Sequence, residues 1–180
     1  LVENSREALA YVCNNYYCNP TKGMKIIAIT GTNGKTSCAY YIYNILKRAN
    51  KKRGLISTIE CLINDDIFDI ENGGSEVKDA HSAMTTPDPL VLYSVFDKMR
   101  KNGVEYVVME ASSHALEQSK LVPLYINVAG FTNLSSEHMD FHHSMERYYL
   151  AKKKLFNNCG VAILNADDNL FDRLNEELYN

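Results

Sequence analysis

Gly31, Thr32, Asn33, Gly34, Lys35 and Thr36 are spaced as a loop that could surround a chain of phosphates. Glycines let backbone N–H groups turn inward, and the start of a following helix adds positive potential. Lys35 would supply a mobile cation, and Thr36 a hydroxyl ligand for Mg²⁺, with Ser37 the next polar contact. A full phosphate-loop pattern would have glycine at position 29, where this chain has Ile29, so the match is to GKT with a nearby glycine. A glycine turn carrying a surface lysine is the plainer alternative. Placement between an apolar run and a helical pattern favours the phosphate reading, with ATP and Mg²⁺ as the ligands.

A second group of side chains could complete such a site. Glu110 closes the apolar run YVVME and is followed by Ser112, Ser113 and His114. A carboxylate there could meet the same metal as Thr36, since Mg²⁺ takes hard oxygen ligands; a capping or ion-pair role fits the spacing equally well. Glu137, His138, Asp140, His142 and His143 then crowd into seven positions, although His142 and His143 also read as solvated loop residues. In SMERYYLAKKKLF (144–156), Met145, Tyr148, Tyr149, Leu155 and Phe156 recur on one helical face. Lys152 falls on that face while Lys153 and Lys154 fall off it. A lysine so placed either snorkels its head to water or is buried, loses its proton and offers a nucleophilic amine.

These residues need a scaffold that gathers strand ends. Strands are expected at 25–30, 54–60, 104–111, 128–134 and 160–166, alternating with helical patterns. Ala39, Ile42, Tyr43, Leu46 and Ala49 mark one helix face; Leu92, Val95, Phe96 and Met99 mark another, with Asp88 and Pro89 as its N-cap and first turn and Gly103 at its end. Ser144 is the expected cap of the helix carrying Lys152. The alternation predicts an α/β fold, a mainly parallel sheet flanked by helices. Residues 1–20 read as an amphipathic helix or linker, 64–80 as a polar hairpin or mobile loop, and the final residues as a helix.

A chain of 180 residues, 46% hydrophobic and 23% charged, can build one core. A net charge of -3 without a basic run gives no reason to expect nucleic acid or an anionic membrane as partner. Five cysteines without a CxxC pair read as reduced thiols of a cytoplasmic protein. No feature bears on oligomeric state.

TGTNGKT, AMTTPDP, VVMEASSHAL, FTNLSSEHMDFHHSMERYYLAKKKLF and ILNADD together resemble the Mur ligase superfamily, and within it the UDP-N-acetylmuramyl-tripeptide synthetase type. GTNGKT is shared with folylpolyglutamate and cyanophycin synthetases; TTPDP with EASSHAL and HMDFH is narrower. The resemblance implies a phosphate-loop ATP-binding central domain over 21–180, stopping before its last strands, without the uridine-binding and amino-acid-binding domains of such ligases. It implies ATP-dependent phosphorylation of the D-glutamate carboxylate of UDP-MurNAc-L-Ala-D-Glu, followed by attack of a diamino acid on the acyl phosphate. It implies that Lys35 holds phosphates, that Thr36 and Glu110 bind one Mg²⁺, and that His138 and a carbamylated Lys152 bind a second. Thr85, Thr86, Ser112, Gln118 and Lys120 are the implied contacts to the UDP-sugar peptide, with Lys120 standing where arginine is usual. A nucleotide-binding module without chemistry is the alternative from another class.

Overall fold

A computed structural model describes residues 1–69, 85–137 and 139–179. Its elements in chain order are α1 (Ser5–Tyr16), β1 (Lys25–Thr30), α2 (Lys35–Arg48), β2 (Arg53–Ile56), β3 (Cys61–Ile63), β4 (Asp66–Phe68), α3 (Pro89–Lys101) and β5 (Tyr106–Glu110). There follow α4 (Ser113–Glu117), β6 (Ile126–Phe131), α5 (Met139–His142), α6 (Met145–Lys153), β7 (Cys159–Leu164) and α7 (Phe171–Tyr179). Among the described residues seven strands form one sheet in the order β4-β3-β2-β5-β1-β6-β7. The five strands from β2 to β7 run parallel, and β3 and β4 add an antiparallel hairpin at one side.

The β1 sequence KIIAIT explains the layering. Side chains alternate across a sheet, so Ile26 and Ala28 join a core made with α1, α3, α6 and α7, while Ile29 meets Ala39 and Tyr43 of α2 on the other face. Asn4 caps α1 through Oδ1, accepting from the N–H groups of Arg6 and Glu7, and Ala10 and Cys13 bury that helix in the larger core. The α2 face is only partly covered. Over β6 and β7 it leaves Val161 and Ile163 more than half exposed, beside an apolar cavity of about 430 Å³.

Several boundaries differ from those read in the sequence. The second strand stops at Ile56, because Ser57 Oγ accepts from the N–H groups of Ile59 and Glu60 and bends the chain into a turn. Cys61–Ile63, assigned to no element from sequence, pairs with Asp66–Phe68 across Asn64 and Asp65, both at positive φ as a two-residue hairpin loop requires. The hairpin expected within 64–80 therefore begins earlier, and its remainder from residue 70 lies outside the described residues. Asp88 precedes α3 but makes no side-chain cap; its carboxylate pairs with Lys120 Nζ at 2.7 Å. Ser144 does cap α6, accepting from Arg147 N at 3.2 Å. That helix gives way after Lys153 to a 3₁₀ turn over Lys154–Asn158, and Met145 of the expected apolar stripe is exposed.

Candidate active site

Parallel pairing puts the ends of β1, β5 and β6 side by side. Ile29 is in register with Glu110 and with Gly130, so the loop after β1, the Glu110 carboxylate and the chain leaving β6 emerge at one rim of the sheet. Gly31 has φ +143°, and a Cβ added there would collide with Thr132 Oγ1. Gly34 is the N-cap of α2 in the left-handed region, at φ +83°.

The chain after β6 is a brace for this loop rather than the strand end expected there. Thr32 N donates to Asn133 O at 2.8 Å and Asn33 N to Asn133 Oδ1 at 2.9 Å, while Thr132 Oγ1 donates to Asn33 O at 2.7 Å. The N–H groups of Thr32 and Asn33 are thus already engaged. Those of Lys35, Thr36 and Ser37 open α2, where the first N–H groups have no partner within the helix and face the positive end of its dipole.

Two lysines converge on one carbonyl. Lys35 Nζ donates to Gly31 O at 3.0 Å and Thr32 O at 2.7 Å, and Lys152 Nζ donates to the same Gly31 O at 2.7 Å. Lys152 is 1% exposed and lies 4.4 Å from the centre of the Tyr148 ring. Burial pushes its ammonium down to about 7, the charge on Lys35 adds to the fall, and Glu137 opposes it. The snorkelling alternative is removed: the Lys152 head is inside. Lys35 is lowered too, by burial, against the raising influence of Glu110 and Glu137.

Glu110 is fully buried. Thr58 N donates to its Oε1 at 2.9 Å, and Thr58 Oγ1 lies 3.3 Å from its Oε2. Among the described residues the hydrogen bonds to its carboxylate come from Thr58 alone, so each carboxylate oxygen keeps a lone pair for a cation. No group of three or more His, Cys, Asp or Glu side chains forms a metal cage among those residues. A single carboxylate with a hydroxyl and nucleotide phosphates is nevertheless the donor set that Mg²⁺ commonly accepts, and Glu110 with Thr36 fits it.

The opposite wall carries the residues expected to hold a second substrate. Thr85, Thr86, Ser112, Gln118 and Lys120 line a cavity of about 280 Å³ together with Lys35, Ser113, His114, Tyr148 and Lys152. Thr86 Oγ1 donates to Glu110 O at 3.0 Å and accepts from Ser112 N at 3.2 Å. Lys120, 2% exposed, reaches Thr86 O at 3.4 Å besides its pairing with Asp88.

His138 lies outside the described residues. Its neighbour His142 is not a solvated loop residue: it is 3% exposed, with Nε2 2.9 Å from Ser113 Oγ and its ring 4.8 Å from that of Tyr148. His143 is exposed, at φ +62°. Sequence reasoning assigned no part in the site to Thr58, Thr132 or Asn133, and placed Tyr148 only on the apolar stripe. Tyr148 was legible as the residue one turn before Lys152; Thr58 and the Thr132–Asn133 brace carried no local signal.

A glycine loop between strand and helix at the rim of a mainly parallel sheet, facing a polar cavity, is the arrangement of a phosphate-loop α/β domain. The Mur ligase middle domain family matches residues 29–180, and the chain belongs to that family. It is 40% identical over 177 residues to the UDP-N-acetylmuramoyl-L-alanyl-D-glutamate--2,6-diaminopimelate ligase of Clostridium tetani, covering 98% of this chain and 34% of that protein. To the ligase of the same name from Caldanaerobacter subterraneus it is 43% identical over 169 residues, 93% of this chain and 33% of that one. The chain thus spans about a third of these curated relatives. A solved structure of such a ligase superposes with TM-score 0.77 at 28% identity, over 94% of this chain and 33% of that one. A Mycobacterium tuberculosis folylpolyglutamate synthase complexed with ADP and AMPPCP shares the fold, with TM-score 0.72 at 16% identity over 96% of this chain and 43% of that one. No helix among the described residues is long and apolar enough to cross a membrane.

Proposed function

We propose that this chain is the ATP-binding part of a ligase that joins a diamino acid to UDP-MurNAc-L-Ala-D-Glu in cytoplasmic peptidoglycan precursor synthesis. The observation that carries it is the 280 Å³ cavity: Lys35 and Lys152 stand at its phosphate end, and Thr85, Thr86, Ser112, Gln118 and Lys120 form its wall. Residues 21–180 form the central unit, 1–20 a leading helix, and complete ligation needs the uridine-binding and amino-acid-binding parts. The relatives' names favour 2,6-diaminopimelate as the amine.

In this reading the α2 N-terminus and Lys35 bind the phosphates of ATP, Lys35 turning from the Gly31 and Thr32 carbonyls toward them. Thr36 and Glu110 would hold one Mg²⁺, and His138 with Lys152 a second; such ions would supply positive charge beside the phosphoryl group and the attacked carboxylate. The Lys152 amine, neutral above about pH 7, adds CO₂ and releases a proton, and the carbamate formed supplies anionic oxygens. The substrate carboxylate takes the γ-phosphoryl group with loss of ADP. The incoming amine then attacks the acyl carbon, phosphate leaves with the former carboxylate oxygen, and the nitrogen gives up a proton as the amide forms.

The test replaces the matching third of the Clostridium tetani ligase with this chain and assays tripeptide and phosphate. Stoichiometric release of phosphate and UDP-MurNAc-tripeptide, abolished by Lys35→Ala, is expected; a folded chimera that binds ATP without ligating, or that extends a folate instead, overturns the proposal. The isolated 180 residues are expected to bind the Mg²⁺ complex of an ATP analogue without forming tripeptide.

A further inference from the structure

Thr58 sits outside every motif and yet touches both halves of the site. Its N–H is 2.9 Å from Glu110 Oε1, and its hydroxyl is 3.3 Å from Glu110 Oε2 and 3.0 Å from Thr85 Oγ1. The turn presenting it is itself fastened. Ser57 Oγ donates to Glu60 O at 2.9 Å while accepting from two N–H groups, and Tyr40 Oη on α2 donates to Glu60 Oε1 at 2.7 Å. The turn is therefore tied to the helix that begins at the phosphate loop.

We infer that Thr58 is the positioning residue that orients the Glu110 carboxylate toward a divalent cation and links it to Thr85 on the substrate wall. A carboxylate without such partners rotates about its last bond. Here one neutral donor is spent on each oxygen, which fixes the plane of the group and leaves one lone pair per oxygen directed elsewhere. The hydroxyl has a single proton and two acceptors, Glu110 Oε2 and Thr85 Oγ1. With a cation held at the carboxylate, the Thr58 O–H would donate to Thr85 Oγ1 instead, and the Thr85 O–H would be left to point to the cavity. Metal loading and the state of the substrate wall are thereby coupled through one side chain. Partners of metal-ligating carboxylates typically change metal affinity about 10–100-fold when removed. The backbone contact to Oε1 survives side-chain replacement, which places this case near the lower bound.

The inference rests on the metal role proposed for Glu110, and the experiment separates the two. Mn²⁺ binding in the presence of a non-hydrolysable ATP analogue is titrated by electron paramagnetic resonance in the 180-residue chain and in Thr58→Val, Thr58→Ser, Thr58→Ala and Glu110→Gln. Expected are about tenfold weaker Mn²⁺ binding for T58V, recovery to within about threefold for T58S, and a larger loss for E110Q. Unchanged or tighter binding in T58V, with E110Q impaired, overturns the role of Thr58 and leaves that of Glu110 standing. Unchanged binding in E110Q overturns the metal reading itself. T58A removes the same hydroxyl and carries the test if T58V is unstable, and an equal loss in T58S and T58V marks Thr58 as merely structural.

Discussion

Lys35 and Lys152, 117 positions apart in the chain, donate to the same oxygen, the carbonyl of Gly31, at 3.0 and 2.7 Å. Two ammonium groups on one acceptor repel, and only one is needed to satisfy it. The arrangement favours a site in which one of them gives up its proton. Burial makes that one Lys152, lowered to about 7.

The Lys152 amine should therefore capture CO₂ as its neutral fraction grows. With ¹³C-labelled bicarbonate, a carbamate resonance is expected that is stronger at pH 8 than at pH 6 and absent in Lys152→Ala. A signal independent of pH over that interval, or retained in K152A, contradicts the assignment.

Gly31→Ala should damage the loop by two routes. The residue would keep a φ of +143°, and its Cβ would strike Thr132 Oγ1, whose hydroxyl holds Asn33 O. Backbone strain of this kind costs about 1–3 kcal/mol. Urea unfolding should show a loss of that order, and affinity for the Mg²⁺ complex of an ATP analogue should fall with it.

Thr86→Val keeps shape and removes the hydroxyl of a residue that is 1% exposed. Glu110 O and Ser112 N then lose their shared partner. Leaving buried backbone groups unsatisfied costs about 1–3 kcal/mol, so chemical denaturation should report a loss in that interval. Thr86→Ser should restore most of it.

Acid should loosen α7 from α6 before the core fails. Glu177 accepts from Tyr149 Oη at 2.7 Å and pairs with Lys153 and Arg173, each at 2.8 Å. The Lys153 hydrogen bond first, then those of Arg173 and Tyr149, lower its carboxyl to about 2 from an ordinary 4.5. A depressed carboxyl stabilises the fold in full above about 4.5, and that contribution disappears as pH falls from there toward 2. Thermal melts of Glu177→Gln should be lower than the parent at pH 7, with the gap closing across that window.

The placement of the glycine loop between β1 and α2 was legible because glycine spacing, lysine and a strand-to-helix junction occur together in a few residues. The central parallel strands β1 and β5 were legible because largely buried strands read as apolar runs, as in KIIAIT and YVVME. Cys61–Ile63 was too short for its periodicity to register. Asp88 was read as a helix cap because sequence shows neighbours along the chain and not Lys120, 32 positions later in the chain. Thr58 was invisible for the same reason: its value lies in Glu110 and Thr85, brought to it by the order of the strands. Lys152 sat between two readings until burial decided for the inward one.

The uncovered stretch beside β6 and β7 bears on how the chain behaves in the test tube. Among the described residues β7 ends the sheet, so that one side of it has no strand partner, and Val161 and Ile163 stand out from its face toward water. Such a margin is a template for another molecule's strand. Concentrated solutions of these 180 residues should accordingly scatter light and elute early from a sizing column, and a lysine in place of Ile163 should keep them clear.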